Sequence, residues 1–230
     1  MDYCHDYPTL IKYFNLCEYT ITDLCVVGLG TLMWVVSYIA VIRHGFKNKF
    51  VEMPVFVAIG NIAWEFIWSF VYKTNMGDFY LWGYRAWFFL DLFILYLVIK
   101  YGAKQFKLPI FNKNIIPIVV GLLIFFGFFF YYFVKGGYDT PIGATSAFFL
   151  SVGISTLYIV LLYSNGNAQN FSLLAGVTRA IGDLVLTIFA IYYTEIGIIA
   201  VMGAYVVVLD FTYVGLLWKK KRVNKSNVSV

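Results

Sequence analysis

Seven apolar runs, each near twenty residues and parted by short polar turns, leave this chain few ways to fold. About 20 apolar residues cross the hydrocarbon of a bilayer, and only a helix satisfies its own backbone there within one segment. The runs read as spans over about 24–42, 54–72, 82–101, 115–134, 142–163, 173–193 and 196–218. Only 13% of the 230 residues are charged and 61% are hydrophobic, outside the range of water-soluble domains. The expected fold is all-α: a polytopic seven-helix bundle over 23–218, an interfacial segment at 1–22 and a basic, unstructured tail at 219–230.

Charge placement then sets orientation. Loops after the first, third and fifth runs, with the tail, carry twelve Lys and Arg; the opposite side carries Lys12, Lys73, Arg85 and Lys135. The excess places the C-terminus in the cytoplasm and the N-terminus outside. The net charge of +5 is therefore a topology signal, and no nucleic-acid partner is expected. The acidic start, MDYCHDYPTL, has no basic n-region and is not read as a signal peptide. Cys4, Cys17 and Cys25 have no metal spacing and are expected as free thiols, with a Cys4–Cys17 disulfide open if that end is extracytoplasmic. Neither His5 nor His44 is paired for a metal, and no metal or cofactor is expected.

Five ionisable residues fall inside the runs: Glu65, Asp91, Arg179, Asp183 and Asp210. A charge at membrane depth is costly, so each is a candidate for function. At helical spacing Asn61, Glu65, Trp68 and Tyr72 share one face. Arg179 and Asp183 stand four apart and are expected to neutralise each other. Asp91, with Trp87 and Tyr84 on its face, is expected to bond Arg179 or a neighbour's indole or hydroxyl. Glu65 and Asp210 then have no basic partner, which favours the neutral acid. Such an acid, shielded from water, gives a proton to a weak base such as an epoxide or alkene. Trp64, Trp68, Trp87, Tyr84 and Tyr213 offer aromatic faces to a resulting cation. Trp34, Trp82 and Trp218, near span ends, read as interfacial belts.

Several chemistries have no carrier. There is no DDxxD or DxDD run, no Gly-rich phosphate loop, no GxSxG, and no lysine in the last run for a retinal Schiff base. The same intramembrane acids would also serve a small proton-coupled transporter, which remains the second reading. A membrane hydrolase would need a nucleophile or metal set that the sequence does not offer.

At IGNIAWEF and VVVLDFTY the chain resembles the small integral-membrane terpene cyclases of fungal meroterpenoid and indole-diterpene pathways. The resemblance rests on the Gly60-Asn61-x-x-Trp64-Glu65 motif, the Trp87-to-Asp91 region, the late acid Asp210, the size and the span count. It implies metal-free cyclisation of a lipophilic prenylated substrate, begun by protonating an epoxide. It also implies that Glu65 and Asp210 are the essential acids, converging on one apolar chamber. Asn61, Trp64, Trp68, Tyr84, Trp87, Asp91, Arg179, Asp183 and Tyr213 are expected to line or floor it. The membrane would be the plasma membrane in a bacterium and the endoplasmic reticulum in a fungus.

Overall fold

Polar caps at the edges of the apolar runs set where helices begin. The computed structural model describes residues 8–106, 109–165, 167–194 and 196–226. A short helix α1 (Pro8–Tyr13) precedes α2 (Ile21–Asn48). Thr20 opens α2 with a capping box: its hydroxyl accepts the Asp23 N–H at 3.1 Å, and Asp23 accepts the Thr20 N–H at 2.9 Å. Lys49, left-handed at φ 51°, closes it by donating its N–H to the Gly45 carbonyl. Helix α3 (Val55–Phe66) starts behind Pro54 and runs into a π-helical turn, Ile67–Val71, that ends at extended Tyr72. There follow α4 (Asp78–Tyr101), α5 (Pro109–Lys135), α6 (Ala144–Asn165), α7 (Leu173–Thr194) and α8 (Gly197–Ser226). Among the described residues there is no strand. Cys4, His5, Lys107, Glu195 and residues 227–230 lie outside the described residues.

Among the described residues six helices are long and apolar enough to cross a membrane, against the seven expected. The second run is helical over Val55–Val71 only. That is about 25 Å of helix, short of the ~30 Å hydrocarbon. Helices also outrun the apolar stretches. The basic sequence after the first run, expected as a loop, continues α2 to Asn48, and the basic tail continues α8 to Ser226. Lys and Arg are good helix formers whose long stems reach water from an apolar surface, so a basic stretch need not end a helix.

Residues 50–53, expected in that loop, are buried. Gln105 satisfies their backbone: its amide donates to the Val51 and Met53 carbonyls, both at 2.8 Å, and accepts the Val55 N–H at 2.9 Å. Cys17 is disulfide-bonded while Cys25 is free and exposed, so the free-thiol expectation holds only for the latter.

Close packing centres on α2 against α7 and on α8 against α7 and α6, with α3 against α4 and α5 next. In hydrocarbon, small residues let helix backbones approach. A Cβ on Gly30 of α2 would lie 2.7 Å from the Leu186 side chain and 3.4 Å from the Gly182 carbonyl of α7. Helix α5 presents Phe125 and Phe128 outward, 57% and 61% exposed, as its uncharged, Phe-rich stretch over 115–134 implies. Gly30→Val is expected to destabilise the protein by about 1–3 kcal/mol through overpacking. Gly121→Val, where a Cβ meets nothing within 4 Å, should not. Thermal unfolding in detergent micelles measures both.

Candidate functional site

Two buried polar clusters occupy the bundle. The first joins α2, α3 and α4 through the amide of Asn61. It donates to the Tyr38 hydroxyl at 2.5 Å, to Glu65 Oε1 at 2.9 Å and to Asp91 Oδ2 at 2.8 Å. The Tyr38 hydroxyl in turn donates to Glu65 Oε1 at 2.9 Å. An amide has two N–H groups and a phenol one O–H, so three protons serve four contacts. The Glu65 and Asp91 carboxyls also lie within hydrogen-bonding reach of each other. Glu65 Oε2 and Asp91 Oδ1 are buried with no donor. One proton on a carboxyl completes this network.

The second cluster joins α7 and α8. Arg179 grips Asp210 with two donors, Nη2 to Oδ1 at 2.8 Å and Nε to Oδ2 at 3.4 Å. Its guanidinium lies 4.0 Å from the Tyr158 ring centroid and 5.3 Å from that of Tyr213. The expected Arg179–Asp183 pairing is not formed, and Asp210 is not the lone acid it was read as. The partner comes from a neighbouring helix, because the guanidinium fork matches a carboxylate approaching head-on better than one beside it on the same helix. Asp183 instead accepts the Trp34 indole N–H at 3.0 Å and lies within hydrogen-bonding reach of Asp210. Trp34 is thus a site residue rather than an interfacial anchor. Asp91 reaches Asn61, not Arg179.

Between the clusters lies a cavity of about 90 Å3. Glu65, Asn61 and Tyr38 face it from one wall, Asp183 and Trp34 from the other, and Trp64 and Trp87 line its flank. Asp210, fully buried, does not line it; Asp183 stands where Asp210 was expected. A second cavity of about 110 Å3 adjoins, sharing Trp64, Trp87 and Phe148 and adding Tyr84 and Gly83. Each is well below the roughly 300–1,000 Å3 of ordinary ligand sites. Tyr213 belongs to the arginine cluster. Trp68 and Tyr72 do not line the Glu65 cavity, because the π turn at Ile67–Val71 breaks the periodicity that aligned them with it. Trp68 packs 6.2 Å from Trp64, and Tyr72 donates to the Tyr131 carbonyl at 3.2 Å.

The loop before α6 supports the aromatic wall. Gly143 is left-handed at φ 73°, and a Cβ there would meet the Trp68 and Trp64 rings at 2.6 and 3.0 Å. The Trp64 indole donates to the Ser146 hydroxyl at 2.7 Å, and that hydroxyl donates to Asp139 Oδ2. Burial pushes the Asp139 carboxyl above its ordinary range, and hydrogen bonds from Ser146 and Thr140 oppose that. At the other end of the bundle, burial likewise pushes Glu52 up, although it accepts the Ser172 N–H at 2.6 Å and lies 3.3 Å from His44. Tyr38, Trp34, Ser146 and Asp139 escaped sequence reasoning. Tyr38 alone carried a signal, a polar hydroxyl in mid-span.

Residues 14–222 match the family of Pyr4-like transmembrane terpene cyclases. The Pyr4-family terpene cyclase mfmH of Annulohypoxylon moriforme is 29% identical over 158 residues, 66% of this chain and 63% of that protein. Terpene cyclase ascF of Acremonium egyptiacum is 30% identical over 95 residues, 41% of this chain and 34% of that protein. Terpene cyclase pyr4 of Aspergillus fumigatus is 31% identical over 84 residues, 35% of this chain and 32% of that protein. The matched stretch thus spans less than two thirds of each of these relatives. No solved structure matches the chain.

Arg179→Met leaves Asp210 buried and unpaired and is expected to cost about 3–5 kcal/mol. Arg179→Met with Asp210→Leu should recover most of it. Thermal midpoints of the single and double variants in micelles measure the difference.

Proposed function

The chain belongs to the Pyr4-like transmembrane terpene cyclases, and from that membership we propose that it cyclises a lipophilic prenylated substrate by protonating a terminal epoxide or alkene. The observation that carries the reading is Glu65, 2% exposed, facing an aromatic cavity and held by Tyr38, Asn61 and the neighbouring Asp91 carboxyl.

The Glu65 carboxyl gives its proton to the epoxide oxygen, and the C–O bond opens to leave a carbocation. A neighbouring alkene of the same chain supplies the electron pair for the new C–C bond, moving the positive charge along. Trp64, Trp87 and Tyr84 line the path of that charge and stabilise it through their faces. Loss of a proton from carbon ends the reaction with a C=C bond. Asp183, which lines the cavity, takes that proton while the one it shares with Asp210 passes to the Asp210 carboxylate. Asp210 acts from one layer back, holding Arg179 beside Asp183. The sum is an isomerisation, so the proton returns to Glu65 between turnovers, and no metal or other cofactor enters the proposed steps.

In this reading α3 is a seventh crossing, made short by its π turn and flanked by the longer helices. The C-terminus is cytoplasmic, where most Lys and Arg fall. The Cys17 disulfide supports an oxidising environment for the opposite end.

Glu65→Gln keeps shape and removes the proton. It is expected to lower turnover by at least about 100-fold. Membranes carrying either protein, incubated with epoxidised prenylated compounds and analysed for isomeric products by mass spectrometry, test this; equal rates would refute the donor assignment. Gly83 faces the second cavity, and a Cβ there meets nothing within 4 Å. Gly83→Leu fills that space and should shift preference toward shorter prenyl chains in the same assay.

A further inference from the structure

We propose that Asp139 and Ser146 tune the Trp64 indole, making its ring the principal cation-stabilising wall of the chamber. The inference rests on the cyclase reading and adds two positioning residues outside the cavity lining.

The direction of the chain is forced by its chemistry. An indole N–H only donates, so at 2.7 Å the Ser146 oxygen must accept from Trp64. The single hydroxyl proton of Ser146 is then free to donate. It goes to Asp139 Oδ2, the alternative being the Gly143 carbonyl at a longer 3.3 Å. A carboxylate thus pulls on the serine proton, and the serine oxygen pulls on the indole proton. Hydrogen bonds in series polarise one another in a low dielectric. The electron density withdrawn from the N–H bond moves into the ring, and a more negative π face holds a carbocation better.

A purely structural role for Asp139 accounts for only half of it. Its Oδ1 accepts the Thr140 N–H at 2.9 Å and the Ser146 N–H at 3.2 Å, anchoring the loop on the first turn of α6. That anchoring needs no second oxygen, yet Oδ2 is given to the serine hydroxyl. Trp64 is also the ring placed to benefit. It lines both cavities and is 6% exposed. It meets Tyr84 edge-on at 5.6 Å. Gly143 closes against its other side, so the ring cannot turn away.

Two variants separate polarisation from packing. Ser146→Ala deletes the link while leaving the Asp139 backbone contacts. Asp139→Asn keeps one acceptor oxygen for those contacts but turns the other position into a donor, to which the serine hydroxyl cannot give its proton. On a substrate that the wild-type protein cyclises, both are expected to lower kcat roughly three- to tenfold with KM within about twofold, and to raise the share of early-terminated products. The indole N–H proton resonance of Trp64, assigned by its loss in Trp64→Phe, should move upfield in both variants. Wild-type kcat and product partition in Ser146→Ala and Asp139→Asn, or an unmoved resonance, overturns the inference alone. Absence of wild-type turnover on every prenyl epoxide overturns the cyclase reading and the inference with it.

Discussion

One side-chain amide, that of Asn61, holds the first three long segments of the bundle to one another. In hydrocarbon a polar group has no water to fall back on, so its partners must come from other helices. Asn61 on α3 reaches Tyr38 on α2 and Asp91 on α4, and one turn along its own helix it reaches Glu65. These contacts set the rotation of α3 about its axis. That rotation turns Glu65 toward α7 and leaves Phe66 and Phe70, 46% and 48% exposed, on the outside. The same demand operates at the other end of the polar layer, where Arg179 locks α7 to α8 through Asp210. Two clusters on two groups of helices therefore face each other across a gap. Trp34 bridges that gap from α2 by donating to Asp183.

The legible part of this arrangement is the part written within single helices. Gly60-Asn61-x-x-Trp64-Glu65 put an amide and an acid four apart, and the structure brings both to the cavity. Trp87, which lines the cavity, was legible for the same reason, while Asp91 bonds the Asn61 amide rather than Arg179. Periodicity misled where the true partner lies on another helix. Arg179 and Asp183 have the spacing of a pair, yet the guanidinium turns to Asp210, 31 positions away. Periodicity also failed beyond Ile67, where one π turn rotates Trp68 and Tyr72 off the predicted face. Hydropathy found the apolar runs but not the helix ends, since basic residues extend α2 and α8 without ending them. Nothing local marks Asp139 or Ser146 as site residues. In sequence they are a turn acid and a serine at the start of a helix, the commonest places for either.

The placement of the acids bears on how a proton is kept and used. Behind each carboxyl that lines the cavity stands a second within hydrogen-bonding reach, Asp91 behind Glu65 and Asp210 behind Asp183. Such a contact is a bond only when one oxygen carries a proton, and otherwise it is a repulsion. The walls differ in what else they hold. The Asp183–Asp210 side contains Arg179, a fixed positive charge that compensates one carboxylate. The Glu65–Asp91 side contains only neutral donors, Asn61 and Tyr38, which fall one proton short of the contacts they serve. The wall without a cation is therefore the one suited to store a proton, and the wall with a cation is the one suited to keep one carboxylate ionised. In the proposed cyclisation, a cation formed beside Glu65 would be held by the ring faces of Trp64 and Trp87, which line the same cavity.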